Sequence, residues 1–260
     1  MSSVINLTGK VALITGATSG IGKATAVLFN RLGANIVITG RTTERLCSLA
    51  EQLSSGGKAE AYPFTADLTK EDEIKALANA VIDRFHRLDI LVNNAGIIAK
   101  GTIENTTLES YDQVMNVNLR SIFFLTHLLT PELIKTKGAI VNVSSVNGMR
   151  SFPGVLAYNI SKAGVDQFTR CAALELAAKG VRVNSVNPGV TVTELHTRGG
   201  MNEAEFKAFL EHSKSTHALG RAGTPDEVAN AIAFLASDAA SFITGASLPV
   251  DGGRHAMCPR

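Results

Sequence analysis

The sequence contains few cysteines, and none is spaced for a disulfide framework or a metal site. Cys47, Cys171 and Cys258 are an odd number of thiols and form no Cys-x-x-Cys pair. This usage is typical of a reducing compartment, where disulfides are rare. His212 and His217 are five residues apart, whereas a zinc pair on one helix face is four apart. We therefore expect neither disulfides nor a bound metal.

The sequence also lacks a long hydrophobic run and a marked excess of either charge. No apolar stretch approaches the roughly 18 residues that a membrane-spanning helix requires, and the N-terminus lacks the regions of a secretory signal. The 25 basic and 23 acidic residues are interspersed and give a net charge of +2. This balance provides no basic surface for nucleic acid or an anionic membrane. We expect a cytoplasmic protein whose partner is a small molecule.

The hydrophobic residues that are present form short, continuous runs separated by helical patterns. With 45% hydrophobic residues and no recognisable linker, the chain predicts one domain over residues 1–260. Continuous hydrophobicity indicates strands covered on both faces, so we predict an α/β fold, a doubly wound parallel sheet of about seven strands with helices on both faces. The predicted strands are 11–15, 36–39, 61–64, 90–93, 139–144, 181–186 and 247–250, and the predicted helices are 21–32, 43–53, 71–87, 108–135, 157–179 and 225–237.

One segment, residues 191–223, breaks this alternation of strands and helices. It contains Gly199 and Gly200 and a short helical pattern over 202–211, and it is longer than a connection between two elements normally is. Insertions of this kind are commonly binding loops. We expect the segment, called the lid below, to contact the substrate.

A glycine-rich turn follows the first predicted strand and opens the first predicted helix. Glycines in such a turn permit a tight bend, close approach of the backbone to a pyrophosphate and close helix packing, and the helix N-terminus attracts phosphates. The phosphate-binding loop of NTPases would instead need glycine at Ala17 and a hydroxyl at Ala24. The turn predicts a dinucleotide site, with a plain strand-to-helix turn as the alternative. Its residues are Gly16, Thr18, Ser19, Gly20, Ile21 and Gly22.

The end of the second predicted strand indicates which dinucleotide binds. Folds of this kind that prefer NAD place an acidic residue there to contact the ribose hydroxyls, whereas this chain has Gly40 followed by Arg41. A guanidinium pairs well with a 2′-phosphate. Arg41 therefore favours NADP. Ser19 supplies no second basic group, a solvated arginine is the alternative interpretation, and NAD stays the second candidate.

Three polar side chains further along the chain have the types and spacing of a hydride-transfer centre. Tyr158 and Lys162 are one helical turn apart, so the ammonium would lie beside the phenol. A cation lowers the pKa of a neighbouring tyrosine from its ordinary value of about 10, which makes Tyr158 a candidate acid/base. Ser145, at the end of the fifth predicted strand, can hydrogen-bond the same substrate oxygen. Each residue alone would be unremarkable, but their joint spacing predicts an oxidoreductase.

The complete set of motifs resembles the short-chain dehydrogenase/reductase family, in the single-domain branch that has a Rossmann-type sheet. The resemblance covers essentially the whole chain, which is similar to 3-oxoacyl-[acyl-carrier-protein] reductases. It rests on motifs that occur in family order, namely Thr15-Gly16-x-x-x-Gly20-x-Gly22, Asp67-Leu68, Asn93-Asn94-Ala95-Gly96, Asn118, Ser145, Tyr158-x-x-x-Lys162 and Pro188-Gly189.

The resemblance implies a role for each matched residue in an NAD(P)-dependent enzyme. It implies that Tyr158 is the acid/base, that Lys162 also holds the nicotinamide ribose, and that Asn118 positions a water linking Lys162 to a proton relay. It further implies an oligomer, usually a tetramer, formed through the helices over 108–135 and 157–179. The implied cofactor contacts are Asp67 and Leu68 at the adenine, Asn94, Ala95 and Gly96 beside the cofactor, and Pro188, Gly189, Thr191 and Thr193, the last at the carboxamide.

Three functions are compatible with the sequence. The first is an NADP-dependent reductase of a hydrophobic ketone, such as a 3-oxoacyl thioester or a 3-oxosteroid or ecdysteroid-like ketone. The second is an NAD-dependent alcohol, steroid or sugar dehydrogenase, and the third is a non-catalytic dinucleotide-binding protein, against which the intact catalytic residues argue. Apolar residues are expected around the substrate, with Arg150 and Arg198 nearby: Ile97, Ile98, Val146, Met149, Phe152, Val155, Leu156, Leu195 and Met201.

Overall fold

A parallel sheet forms the centre of the computed structural model, which describes residues 5–56 and 59–258. The strands run in the order β3-β2-β1-β4-β5-β6-β7, and every pairing is parallel. The predicted fold class is confirmed, and each strand lies within two residues of its predicted bounds. The strands are β1 Val11–Thr15, β2 Asn35–Gly40, β3 Ala61–Thr65, β4 Ile90–Asn93, β5 Ala139–Val143, β6 Arg182–Pro188 and β7 Ser247–Val250.

Two hydrophobic cores, one on each face of the sheet, explain why the strand sequences are continuously apolar. In β1, Ala12 and Ile14 face one core, and Val11 and Leu13 face the other. Successive side chains of a strand point to opposite faces. A strand covered on both faces must therefore be apolar at every position, which is the pattern that predicted the fold.

The helices divide between the two faces of the sheet. Helices α1 (Gly20–Arg31), α2 (Thr43–Gly56) and α10 (Pro225–Ala236) supply the first core, and α3 (Glu71–Phe85), α5 (Ser121–Thr136) and α7 (Leu156–Ala177) supply the second. The start of α10 is stabilised by its own side chains. Thr224 and Glu227 form a reciprocal capping box there, with Pro225 in the first turn.

The prediction of a single long helix over 108–135 is wrong in one respect. Helix α4 (Leu108–Met115) is followed by a π-helical segment, Asn116–Arg120, before α5 begins. A π-helical turn inserts one residue into a helix and is common at functional sites. The inserted turn contains Asn118, one of the predicted site residues.

The lid has more helix than its sequence predicted. After the four-residue helix α6 (Val146–Met149) and α7, the lid contributes α8 (Leu195–Arg198) and α9 (Glu203–Thr216), and α9 ends five residues beyond the predicted pattern. Asn202 and Glu205 cap the start of α9 reciprocally. A short 3₁₀ turn, Arg254–Ala256, follows β7.

The described residues form a single domain, and the predicted bounds of 1–260 include residues 1–4, 57–58 and 259–260, which lie outside them. All three cysteines are free and exposed. In the described part of the chain, no helix combines the length and the apolar composition needed to cross a membrane.

Candidate active site

The strand order reverses between β1 and β4, and a cleft opens at the carboxyl ends of the strands beside this point. Open α/β sheets bind their ligands at such a switch point. The cleft has a volume of about 990 Å³. Among the predicted catalytic and cofactor-binding residues, only Gly22 and Asn118 do not line it. Those that line it are Gly16, Thr18, Ser19, Gly20, Ile21, Arg41, Asp67, Leu68, Asn94, Ala95, Gly96, Ser145, Tyr158, Lys162, Pro188, Gly189, Thr191 and Thr193.

The glycine-rich turn between β1 and α1 forms one wall of the cleft, at positions where a side chain would not fit. Gly16 and Gly20 have φ angles of +64° and +53°, which L side chains rarely adopt. A Cβ at Gly16 would lie 2.9 Å from Ala95 Cα, and one at Gly20 would lie 3.0 Å from Thr193 Cγ2. A Cβ at Gly22 would lie 2.4 Å from the Gly16 carbonyl oxygen. Gly22 therefore serves helix packing, which is why it lies outside the cleft.

The loop after β4 holds this turn in place. Asn94 Nδ2 donates to the carbonyl oxygens of Thr15 (2.8 Å) and Gly16 (3.2 Å). The N–H groups of Asn94 and Ala95 both donate to Thr15 Oγ1, at 2.9 and 3.0 Å. Ser19, the N-cap of α1, makes no capping hydrogen bond with its side chain. The N–H groups of the first helical turn therefore keep their capacity for an anion such as a pyrophosphate.

The other end of the cleft lies beside β2 and β3, and it contains both basic and acidic side chains. Burial alone would raise the pKa of Asp67, but hydrogen bonds from Thr69 and the charges of Arg41 and Lys70 outweigh it and lower the pKa. Arg45, which the sequence analysis did not single out, also lines the cleft. Thr39 Oγ1 is buried without a hydrogen-bond partner among the described residues. An unused buried hydroxyl beside a glycine cradle fits a polar ligand such as an adenosine dinucleotide.

The Ser145 and Tyr158 side chains meet at the base of the cleft. Ser145 is the N-cap of α6, and its Oγ accepts a hydrogen bond from the Asn147 N–H (3.1 Å) and donates to Asn147 Oδ1 (3.2 Å). Burial raises the pKa of Tyr158 to about 12, and a hydrogen bond with Ser145 opposes that rise. The Tyr158 hydroxyl is therefore protonated throughout the neutral range.

The expectation that Lys162 lowers the pKa of Tyr158 below 10 is wrong for this arrangement. Tyr158 is 6% exposed, and this burial dominates. The Lys162 ammonium lies 5.6 Å from the Tyr158 ring centroid, and it donates to the Val143 carbonyl oxygen at 2.8 Å. Burial also lowers the pKa of Lys162 to about 8, with Asp166 acting in the opposite direction. Lys162 therefore loses its charge at a lower pH than an exposed lysine does.

Asn118 lies behind the cleft and fixes two of its walls. Its Oδ1 accepts from the Ile97 N–H (2.8 Å), and its Nδ2 donates to the Ile97 carbonyl (2.9 Å) and to Ser161 Oγ (3.0 Å). A Cβ at Gly96 would lie 3.4 Å from Asn118 Oδ1 and 3.6 Å from Lys162 Nζ, so this glycine lies close to both side chains. The water-mediated role of Asn118 stays a prediction.

A buried polar network that sequence reasoning missed supports Ser145. Asp166 is one helical turn beyond Lys162 and receives both a 2.9 Å and a 3.0 Å contact from Asn187 Nδ2, which also donates to the Ser145 carbonyl at 3.0 Å. Asn147 Nδ2 donates to Asn159 Oδ1 at 2.7 Å, which ties the Ser145 segment to α7 beside Tyr158. The spacing of Tyr158, Lys162 and Asp166 could have identified the aspartate, because each lies four residues after the one before it, on one face of the helix.

The substrate end of the cleft is largely apolar, as predicted. Met149 and Leu156 do not line it, and Met149 is exposed at the surface of α6. Arg150 does not line it either, because its Nη1 donates to the Met257 carbonyl at 3.2 Å. The predicted residues that line it are Ile97, Ile98, Val146, Phe152, Val155, Leu195, Met201 and Arg198, and the unpredicted ones include His196, Phe209 and Arg254.

His217 anchors the end of the lid to the cofactor segment after β6. The buried His217 Nε2 accepts a hydrogen bond from the Val190 N–H at 3.1 Å, and its Nδ1 lies 3.0 Å from the Ser213 carbonyl. These contacts require the neutral ring with the proton on Nδ1. The interpretation of His217 as a structural residue agrees with this geometry, since both ring nitrogens have protein partners.

These features together define the class of protein. A glycine cradle at a switch point, a tyrosine and a serine sharing a hydrogen bond, and a buried lysine one turn beyond the tyrosine are the elements of a nicotinamide-dependent oxidoreductase acting on CH–OH or C=O groups. The residues fit such a cofactor, and the expectation of an enzyme is confirmed over the non-catalytic alternative.

Comparison with known proteins gives the family. A family model described as enoyl-(acyl carrier protein) reductase matches residues 16–255. The chain is 42% identical to the 3-oxoacyl-[acyl-carrier-protein] reductase of Thermotoga maritima, over 96% of this chain and 99% of that protein. It is 38% identical to the meso-2,3-butanediol dehydrogenase of Serratia marcescens, over 95% of each chain. A short-chain dehydrogenase/reductase from Caenorhabditis elegans, solved with cofactor, superimposes with a TM-score of 0.91 at 38% identity, covering 97% of both chains. The chain belongs to the short-chain dehydrogenase/reductase family.

Proposed function

We propose that the protein reduces the carbonyl of a hydrophobic ketone to a secondary alcohol, using NADPH. The observation that carries this proposal is the pair of Ser145 and Tyr158 hydroxyls at the base of a cleft with apolar walls. The pKa of Tyr158, raised to about 12 by burial, keeps the phenol protonated at neutral pH. A protonated phenol is a general acid, and reduction of a carbonyl needs an acid at the oxygen.

The proposed mechanism assigns one task to each residue. The bound nicotinamide supplies the hydride. Tyr158 gives its proton to the carbonyl oxygen, and the Ser145 hydroxyl turns from Asn147 Oδ1 to donate to the same oxygen as charge develops there. The Lys162 ammonium lies 5.6 Å from the Tyr158 ring centroid and is proposed to offset part of the charge of the phenolate that remains, although burial dominates the pKa of the resting phenol. Asn118 keeps the Ile97 and Ser161 segments in register with Tyr158 and is proposed to hold a relay water.

NADP is proposed as the cofactor because two arginines, Arg41 and Arg45, line the cleft beside the end of β2. Arg41 acts electrostatically on Asp67, so its charge is felt at this end of the cleft. The test is the KM for NADPH and NADH in Arg41→Ala. We expect the KM for NADPH to rise about tenfold while that for NADH stays within twofold. Arg31→Ala, at the exposed end of α1, is the matched control. An unchanged preference in Arg41→Ala would leave the proposal without support.

The proposed substrate is a 3-oxoacyl thioester or a 3-oxosteroid or ecdysteroid-like ketone. The apolar walls of the cleft and the relationship to the Thermotoga maritima 3-oxoacyl-[acyl-carrier-protein] reductase support this class. The test is NADPH consumption by the purified protein with a 3-oxoacyl thioester, a 3-oxosteroid, a diketone and a keto sugar. Turnover of the first or second alone supports the proposal, and turnover of the keto sugar alone contradicts it.

The second candidate function is that of an NAD-dependent alcohol, steroid or sugar dehydrogenase. The relationship to the meso-2,3-butanediol dehydrogenase of Serratia marcescens favours it. Its test is the same panel of substrates offered as alcohols with NAD and NADP. Faster oxidation with NAD than reduction with NADPH would favour this candidate.

A homotetramer is proposed as the assembly. Phe123 on α5 and Leu174 on α7 are large apolar side chains that are 54% and 82% exposed in the single chain. Apolar groups on the outer faces of two neighbouring helices are suited to a subunit interface. Light scattering of the purified protein tests the proposal, with about four times 27.4 kDa as the expected mass. Cytoplasmic localisation stays a prediction.

A further inference from the structure

One cation in the cleft, Arg254, has no role in the proposed mechanism. It begins the 3₁₀ turn after β7 and lines the cleft, and its guanidinium carbon lies 4.4 Å from the centroid of the Phe152 ring. The Phe152 carbonyl accepts from Asn159 Nδ2 at 2.8 Å, and Asn159 directly follows Tyr158. Arg254 is therefore stacked on a segment that is hydrogen-bonded beside the proposed catalytic tyrosine.

The Arg254 guanidinium makes no hydrogen bond or ion pair with any residue in the described part of the chain. Asp251 is the acidic group that acts on it, but the Asp251 oxygens accept from the N–H groups of Gly253 (3.0 Å) and His255 (2.6 Å) and contact His255 Nδ1 at 2.9 Å. By contrast, Arg150 is bonded to the Met257 carbonyl and Arg198 to Glu194. Arg254 thus differs from the neighbouring arginines in having its donors unused.

The position of Arg254 associates it with the substrate and not with the cofactor phosphates. The phosphate-binding turn faces Thr193 through Gly20, at the start of the lid. Arg254 instead stacks on Phe152, and its charge contributes to the lowered pKa of His196, which burial causes in the main. His196 packs against Phe209 of the lid, with ring centroids 4.6 Å apart. The cation therefore lies between the lid and the segment before α7, where a substrate would enter.

We propose that Arg254 binds an anionic group of the carbonyl substrate, so that the enzyme acts on an oxo acid whose apolar part lies against the walls of the cleft. The guanidinium carbon lies over the Phe152 ring, and the guanidinium N–H groups have no hydrogen-bond partner among the described residues, so they are donors that a ligand can use. The edge of a guanidinium matches a carboxylate through two parallel hydrogen bonds. A half-buried cation without a partner also selects against neutral substrates, because they leave it desolvated and unpaired. The inference rests on the proposed carbonyl reduction, and it puts an oxo acid in place of the thioester or steroid ketone proposed above.

The first experiment compares two ketones that differ only in charge. We expect the wild-type enzyme with NADPH to show a kcat/KM for 3-oxohexanoate at least tenfold above that for its methyl ester. In Arg254→Met the ratio is expected to fall to about one. Arg254→Lys, which keeps the charge but loses the paired N–H donors of the guanidinium, is expected to give an intermediate ratio. Arg150→Met, whose arginine lies outside the cleft, is the matched control and should keep the wild-type ratio.

A second comparison identifies the source of the anion. A 3-oxohexanoyl phosphopantetheine thioester is compared with the uncharged N-acetylcysteamine thioester of the same acid. A tenfold preference for the phosphorylated thioester that disappears in Arg254→Met, without a preference for 3-oxohexanoate over its ester, would keep the anionic ligand but replace the carboxylate by a phosphate. That result would overturn the oxo acid as the substrate.

A binding measurement separates this inference from the proposed function. Calorimetric titration of the NADP-bound protein with hexanoate and hexanamide needs no turnover, and we expect hexanoate to bind at least tenfold more tightly, a difference that is lost in Arg254→Met. Turnover of ketones without any preference for charge, together with equal binding of the two ligands, would overturn the inference and leave the proposed function standing. A preference for hexanoate without turnover of any ketone would do the reverse. Thermal unfolding of each variant verifies that it is folded.

Discussion

The two sides of the cleft are built differently. The cofactor and catalytic side consists of residues at the ends of strands, where Asn94, Ser145 and Lys162 are held by hydrogen bonds to backbone carbonyls or amides of neighbouring strands and helices. The substrate side consists of the lid and the turn after β7, where short helices carry exposed ion pairs such as Arg198 with Glu194. Surface pairs of this kind contribute little to stability. The sheet therefore positions the proposed catalytic side chains, whereas the proposed substrate contacts are made by the lid and the turn after β7, outside the sheet.

The largest effect is expected on the catalytic side, for Tyr158→Phe. The substitution removes the hydroxyl that supplies the proton and leaves the buried ring in place. We expect kcat for ketone reduction to fall by about 10³-fold, while the dissociation constant of NADPH changes by less than threefold. Rapid-mixing kinetics and fluorescence titration of bound NADPH measure the two quantities. Near-normal turnover in this variant would contradict the assignment of Tyr158 as the acid.

A pair of glycine substitutions compares the packing of the two sides directly. The Cβ of Gly22→Ala would lie 2.4 Å from the Gly16 carbonyl oxygen, so the turn must shift, and we expect a loss of about 3 kcal/mol of stability and weaker cofactor binding. The Cβ of Gly200→Ala in the lid would have open space around it, and only the φ angle of +92° is unfavourable for alanine. We therefore expect a loss of about 1 kcal/mol of stability and normal cofactor binding. Urea unfolding measures both. Equal losses would show that the lid is packed as tightly as the turn.

A smaller effect is expected where the lid joins the cofactor segment, at His217→Gln. The substitution replaces a ring held between the Val190 N–H and the Ser213 carbonyl by a flexible amide, so the acceptor is no longer fixed opposite the buried Val190 N–H. A buried N–H left unsatisfied costs about 1–3 kcal/mol. We expect the KM for the ketone to rise about fivefold with little change in kcat, because the lid is displaced and the catalytic side is not. His212→Gln, on the exposed side of the same helix, is the matched control. A fall in kcat alone would place His217 on the catalytic side instead.

The smallest effect concerns pH and the same histidine. Burial lowers the pKa of His217 below its ordinary value of 6.5, against the Ser213 carbonyl, with Arg254 adding to the shift. The unfolded chain then binds the proton at a higher pH than the folded one, so folded stability is full above about pH 6.5 and falls as the pH drops through the lowered pKa. Unfolding midpoints between pH 7 and pH 5 should decline less in His217→Gln than in the wild type. Parallel curves would mean that the pKa of His217 is the same in the folded and the unfolded chain.

Local sequence spacing predicted the catalytic side well. Gly16, Gly20 and Gly22 lie within one turn of chain, and Tyr158 and Lys162 lie within one helical turn, so their geometry is set by local backbone structure. The strands could be predicted for the same reason, because burial on both faces is visible in a run of four or five residues.

Other parts of the site depend on tertiary structure that no local pattern records. Arg254 meets Phe152 only because β7 ends beside the segment before α7, and Asn187 on β6 reaches Asp166 on α7, 21 residues away in sequence. The pKa of Tyr158 was assigned the wrong direction because the i, i+4 spacing shows the neighbouring lysine but not the burial of the phenol. The sequence therefore predicted the candidate catalytic groups, but it did not predict the surroundings that set the pKa of Tyr158 or that place Arg254 in the cleft.

In the π-helical segment Asn116–Arg120, the number of residues matters as much as the identity of their side chains. Deleting a single residue there would restore a regular helix, at the cost of rotating everything before it by about 100° relative to everything after it. Asn118 could then no longer hold both Ile97 and Ser161, although its own codon would be intact. The spacing of this helix is thus part of the active site, and a frame-preserving deletion in it should inactivate the enzyme without removing any catalytic group.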